Sequence, residues 1–183
     1  MTARVICADP PWSFGDKLPG AHRGAEKNYR VLSINDICNF PVPETEPDSW
    51  LFMWRVASQV EEAYRVVRAW GFVPKSEIVW EKLTAGGKPH FGMGRYVRAS
   101  HETCIVAVRG KPKPASRSVR SRFSAATGRH SEKPEVFYSM VEQLSLGPYV
   151  ELFARRVRPG WICLGNEVPA DSVGMTESDG RAK

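Results

Sequence analysis

The chain lacks any apolar run near the roughly 20 residues that a membrane-crossing helix needs, and no secretory leader pattern opens it. It is therefore expected to act in the cytoplasm, with no membrane partner. Cysteine is scarce and scattered. Cys7, Cys38, Cys104 and Cys163 form no C-x-x-C pair and have no histidine at ligand spacing, which argues for buried free thiols over zinc. His22, His90, His101 and His130 are too dispersed to form a metal set. Acid is missing from one long stretch: between Arg109 and His130 lie Arg109, Lys111, Lys113, Arg117, Arg120, Arg122 and Arg129 without an Asp or Glu. Taking those seven from 26 Lys and Arg leaves 19 bases against 20 acids, so the net charge of +6 resides in that segment.

With 183 residues, 42% hydrophobic and 25% charged, the chain has the size and composition of one globular domain. The domain is expected over residues 1–168. The small polar residues of 169–183 are expected to form a disordered tail, and no internal repeat is found. Runs rich in β-branched and aromatic residues predict strands over 3–8, 50–54, 76–80, 102–108, 149–153 and 161–164. Most are continuously apolar, as suits strands covered on both faces.

Amphipathic helices fall between them. One is expected to start at a capping box, Ser58 with Glu61, and to stop at Gly71. A second is expected to be capped by Ser131, with Pro134 in its first turn and an apolar stripe of Phe137, Met140, Val141 and Leu144. A third is expected to start at Ser33 and end before Pro41. Alternating strands and helices predict an α/β fold with a mostly parallel sheet. Residues 13–30, 83–101 and 110–130 are predicted to be irregular. In open α/β sheets such loops gather beyond the carboxyl ends of the strands, where ligands bind.

The first strand runs into Asp9-Pro10-Pro11-Trp12. The bland reading is a turn. The chemical reading starts from the exocyclic amino group of a nucleobase, whose lone pair is delocalised into the ring and which is therefore a poor nucleophile. A carboxylate, Asp9, and a backbone carbonyl, that of Pro10, can accept its two N–H bonds and hold it in a more nucleophilic geometry. The prolines fix φ and remove competing donors. Trp12 offers a flat face for an unstacked base. This suits transfer of an electrophilic carbon to an amino group, with S-adenosylmethionine as the donor.

Asp-Pro-Pro-Trp resembles the signature of the DPPW-type N6-adenine methyltransferases, the family of the messenger-RNA adenosine methyltransferase catalytic subunit and of many bacterial and phage DNA enzymes. Further blocks resemble it in family order: Asn28-Tyr29 with Asp36-Ile37, Gly92 to Arg98 with His101-Glu102, Ser131-Glu132-Lys133-Pro134, Glu151 to Arg155, and Gly160-Trp161 through Glu167. The resemblance implies a Rossmann-like S-adenosylmethionine-dependent methyltransferase with circularly permuted motif order. It implies catalysis at Asp9, Pro10, Pro11 and Trp12, and cofactor contacts from Asp9, Lys133, Arg155, Asn166 and Glu167. Glu151 is a further candidate that can equally be structural. The loop after Phe153 departs from some relatives in lacking a His-Asn pair.

Nucleic acid is the implied partner, with DNA favoured over RNA and a bacterial or phage-infected cytoplasm as the setting. Tyr29, Arg95, Tyr96, Arg98, Arg117, Arg120 and Arg122 are the residues expected to contact it, neutralising phosphates or enclosing the base. At this length target selection is expected to come from the loops, a homodimer partner or a partner subunit. Two other readings stand beside this one: an RNA adenosine methyltransferase, and a catalytically silent nucleic-acid-binding subunit. Methylation of the cytosine amino group or of a glutamine amide also uses Pro-Pro turns, but there Ser or Asn usually replaces Asp, and Tyr replaces Trp.

Overall fold

A computed structural model describes residues 2–13, 31–94, 96–128, 132–165 and 168. Among them, β1 (Ala3–Ala8), β2 (Thr45–Arg55), β3 (Val73–Leu83), β4 (His101–Arg109), β5 (Arg122–Ala126), β6 (Tyr149–Leu152) and β7 (Trp161–Leu164) form one sheet in the order β5-β3-β4-β2-β1-β6-β7. β1 pairs in parallel with β2 and β6, β6 with β7, and β3 with β5. β4 is antiparallel to both its neighbours. It is thus the one reversed strand, and the carboxyl ends of the other six lie along a single edge. The expected α/β fold with a mostly parallel sheet is what forms.

Side-chain alternation along the strands builds a core on each face. Leu51 and Met53 of β2 and Ile105 and Ala107 of β4 pack with α1 (Ile34–Cys38) and α2 (Val60–Ala69). Val5, Cys7, Phe52, Trp54, Trp80 and Cys104 pack with α3 (Glu135–Leu144) on the other face. α1 starts where expected: the Ser33 hydroxyl accepts the Asp36 N–H, and Asp36 accepts the Ser33 N–H. α2 buries Ala63, Val66 and Val67 and ends at Gly71, whose φ is 79°. There Phe72 N–H reaches the Val67 carbonyl and Gly71 N–H the Arg68 carbonyl, which satisfies the free carbonyls of the last turn.

Three expectations are corrected. The Ser58–Glu61 capping box does not form, because α2 begins at Val60 with Gln59 at its cap, one residue too late for Ser58 to reach the first turn. At α3 the cap position is Pro134, so that residue precedes the helix and does not sit inside its first turn. Within the basic segment predicted to be irregular, Arg122–Ala126 forms β5, an edge strand with small residues and no apolar run to announce it. The expected helix cap Ser131, the loop over 14–30 and the tail 169–183 lie outside the described residues.

Candidate active site

The parity that sends Val5 and Cys7 toward α3 continues into Asp9, one residue past the end of β1. On β3 the same face carries Ile78 and Trp80 and then Lys82; on β4 it carries Glu102 and then Cys104. Strand alternation therefore delivers two acids and a lysine to one corner of the sheet, at the edge where the six strands end. The stretch before α3 adds Lys133, which is 7% exposed. Its ammonium donates to Asp9 Oδ2 at 2.6 Å, lies 3.4 Å from Glu102 Oε2 and 5.2 Å from the centre of the Trp54 ring. Glu102 also pairs with Lys82.

Burial opposes the charge on Lys133, but the carboxylates of Asp9 and Glu102 outweigh it, and the lysine is held above its ordinary value. Burial likewise opposes ionisation of Glu102, and the two lysines overcome it and hold the carboxyl low. Asp9 keeps 23% of its side chain exposed, so it faces the edge of the sheet and not the core.

The rest of the opening motif is fixed by its own bonds. The Trp12 N–H reaches the Pro10 carbonyl at 2.9 Å, the Leu32 N–H reaches the Pro11 carbonyl at 3.0 Å, and the Gln59 amide donates to the Ser13 carbonyl. One lone pair of the Pro10 carbonyl is thereby used within the turn. The open stacking face expected of Trp12 is not what the structure shows. The indole is 4% exposed, belongs to the core under α1 and α2, and donates its N–H to the Trp54 carbonyl at 3.0 Å. Trp12 is a pin that fastens the turn, and Asp9 with it, to the end of β2.

At the far side of β1, the ends of β6 and β7 come together. Phe153 turns the chain sharply after β6 with φ of 61°, a left-handed conformation that costs a non-glycine residue about 1 kcal/mol, and its ring packs 4.5 Å from Phe40. The Ala154 N–H then bonds the Leu164 carbonyl at 3.0 Å. Gly165 lies so close to Ala154 that a Cβ would collide with the Ala154 backbone. The turn carrying Arg155 thus abuts the strand end that leads to Asn166 and Glu167, which lie outside the described residues.

Beyond Arg155 the same turn grips the approach to α3. Arg158, 8% exposed, lies over the Tyr138 ring and pairs with Glu135; Arg156 pairs with Glu135 and with Glu132, the latter at 2.6 Å. Both residues flanking the Lys133-Pro134 step are tethered in this way, which fixes the origin of the Lys133 side chain. Glu151 points to the α3 face between its strand neighbours Cys7 and Cys163. It accepts the Tyr138 hydroxyl at 2.5 Å, its other oxygen has no partner among the described residues, and burial raises its pKa above the usual carboxylate value.

The expected nucleic-acid residues divide by position. Tyr96 and Arg98 are exposed in the β3–β4 connection, beside the Glu102 end of β4. Tyr29 and Arg95 lie outside the described residues. Reversed β4 carries Arg109 to the opposite edge of the sheet, where it bonds the Trp70 carbonyl and Thr45, and the Lys111 N–H bonds Asp48. The basic segment therefore begins far from Asp9, and Arg109 is spent on holding α2. Arg117 and Arg120 are exposed on the way back; Arg122 pairs with Glu81 at 2.7 Å. Glu102 enters the sequence reading only as part of a resembling block with no role of its own, and Lys82 and Trp54 are not among the expected site residues. The signal available was charge at inward parity: Lys82 continues Ile78 and Trp80, and Glu102 precedes Cys104 and Val106.

The MT-A70 family model matches residues 3–167. The N(6)-adenosine-methyltransferase catalytic subunit METTL3 of Homo sapiens is 29% identical over 96% of this chain, and the METTL3 subunit of Danio rerio is 30% identical over 90%. The chain spans only 29% and 28% of the length of those two relatives. The Type II methyltransferase M.MunI of Mycoplasma sp is 31% identical over 93% of this chain and 79% of its own length. With the family model covering β1 through the end of β7 and every described residue of the Asp9 corner, this chain belongs to the MT-A70 family.

Proposed function

We propose that the chain transfers a methyl group to the 6-amino nitrogen of adenine in nucleic acid, with S-adenosylmethionine as donor and DNA as the preferred polymer. One observation carries this reading: a partly exposed Asp9 carboxylate, braced by a lysine at 2.6 Å, stands where six strands end. The relatives named as N(6)-adenosine-methyltransferases support the reaction. The type II methyltransferase, matched along most of its length, supports the preference for DNA.

The donor set suits the amino-acid end of the proposed cofactor. Asp9 can accept from its amino group, and Lys133, shared with Asp9, can meet its carboxylate. The buried Trp54 indole N–H, next to Lys133, has no acceptor among the described residues and adds a donor to the corner. Arg155, Asn166 and Glu167 are proposed for the ribose and adenine, at the joined ends of β6 and β7. When bound, S-adenosylmethionine supplies an electrophilic methyl carbon on a sulfonium. The work of the chain is positional. Asp9 accepts one N–H of the target amino group, and the second lone pair of the Pro10 carbonyl is offered to the other. Lys133 and Glu102 hold Asp9 in place, and Trp12 anchors the turn. The proton lost by the methylated nitrogen leaves to Asp9 or to water.

The test is incubation of the full chain with radiolabelled S-adenosylmethionine and matched DNA and RNA pools, followed by nucleoside analysis. Label in N6-methyldeoxyadenosine is expected. Label only in the RNA pool would reverse the choice of polymer, and label in neither, with the cofactor bound, would favour the silent-subunit reading.

A further inference from the structure

The β3–β4 connection is a projecting tip with an unusual surface. Backbone bonds tie its stem: Lys82 N–H to Ser100, His90 N–H to Lys82, and Gly92 N–H to Ala99 at 3.0 Å. Gly92 and Gly94 let the two arms approach closely, since a Cβ at either would strike the Ala99 or Val97 carbonyl. On this tied scaffold Phe91 is 77% exposed, Met93 92%, Tyr96 91% and Val97 79%. Exposed apolar side chains gathered this densely mark an interaction surface. The Arg98 guanidinium lies 5.2 Å over the Phe91 ring and bonds the Gly94 carbonyl, pairing a cation with a ring.

Charge decides between occupants. From Thr84 to His101 the chain holds Lys88, Arg95 and Arg98 and no acid, so the apolar tip sits on a cationic stem, which suits a polyanion that also offers flat apolar faces. Nucleic acid with unstacked bases has that chemistry. The stem returns at Glu102, which contacts Lys133 and through it Asp9. The tip is therefore rooted beside the catalytic corner, where the neighbours of an extruded base must lie.

We infer that the tip formed by Phe91, Met93 and Val97, with Tyr96, is an apolar wedge that stacks against the bases flanking the target adenine and fills the space it vacates. This rests on the proposed nucleic-acid substrate and adds the element that handles its neighbouring bases.

The test compares the full chain with a Met93→Ser/Val97→Ser variant and, separately, Phe91→Ala. The probes are short DNA and RNA oligonucleotides with one adenine and 2-aminopurine beside it. Loss of the wedge should weaken oligonucleotide binding at least about fivefold and abolish the change in 2-aminopurine fluorescence. The slope of affinity against salt should stay at its wild-type value, because no phosphate contact is removed. Melting temperature and S-adenosylmethionine affinity should also be unchanged. Wild-type affinity and fluorescence in both variants would overturn the inference, and so would a loss of self-association in their place, which would make the tip a protein interface. If the wild-type chain binds cofactor but neither oligonucleotide, the proposed function itself fails, which is a distinct result.

Discussion

The Lys133 ammonium and the Asp9 carboxylate, 124 residues apart in sequence, meet at 2.6 Å. Neither strand β1 nor helix α3 alone makes the site; the pairing joins the end of one to the approach of the other. Glu102 shares the lysine. Lys133→Met takes the shared cation from Asp9 and leaves Glu102 with Lys82 alone, and breaking such a pair costs about 3–5 kcal/mol when buried. The partial exposure of Asp9 and Glu102, 23% and 28% of their side chains, argues for the lower end. Urea unfolding should show this loss, and adding Glu102→Gln should recover part of it.

The same cluster sets a pH window. Lys133 is held above its ordinary value, so its contribution is complete below that value and is lost only as pH rises through the raised one. Glu102 is held below its ordinary value, so its contribution is present above that value and is lost as pH falls through the lowered one. Thermal melts of Glu151→Gln across pH, a background without the Glu151 titration, should show a plateau between these limits. In Lys133→Met the acid side of the plateau should move to higher pH, because Glu102 has lost its main cation.

Trp12→Phe separates a pin from a platform. Phenylalanine keeps an aromatic face but cannot donate to the Trp54 carbonyl, and losing a buried hydrogen bond costs roughly 1–2 kcal/mol. Chemical unfolding should report that loss. Single-turnover methyl transfer should slow, since the turn that holds Asp9 is loosened. An unchanged stability would mean that the bond to the Trp54 carbonyl does not fasten the turn.

Gly165→Val drives a side chain into the Ala154 backbone where β6 and β7 end. Overpacking of this kind costs about 1–3 kcal/mol. It should also weaken S-adenosylmethionine binding, measured by calorimetry, if Arg155, Asn166 and Glu167 hold the cofactor.

Glu151→Gln tests the other buried carboxyl. Because burial raises the pKa of Glu151, the neutral form is favoured in the fold, and that contribution is present below the ordinary glutamate value and lost as pH rises through the raised one. Glutamine stays neutral throughout. The variant should melt with the wild type in acid and above it at neutral pH. A variant destabilised at neutral pH would mean that the ionised group is required.

Local patterns made much of this legible. Continuous apolar runs announced β1, β2, β4 and β7, and Gly71 marked the end of α2. Asp-Pro-Pro-Trp stood out because an acid and two prolines rarely follow a buried strand. What stayed hidden depended on direction and pairing. The basic segment read as one patch until reversed β4 sent Arg109 and Lys111 to the far edge and β5 took Arg122 against Glu81. The roles of Glu102 and Lys82 needed the register of β3 on β4, which puts Trp80 opposite Glu102. Trp12 read as a surface because its chemistry allows one; only packing shows the ring to be covered.

The most direct test of the central claim is the rate of methyl transfer to adenine by Asp9→Ala under single-turnover conditions. In this variant Lys133 retains Glu102 as its counter-ion, so the fold should survive, as melting temperature can verify. The rate should fall at least about a hundredfold below wild type. A folded variant that methylates adenine at the wild-type rate would contradict it.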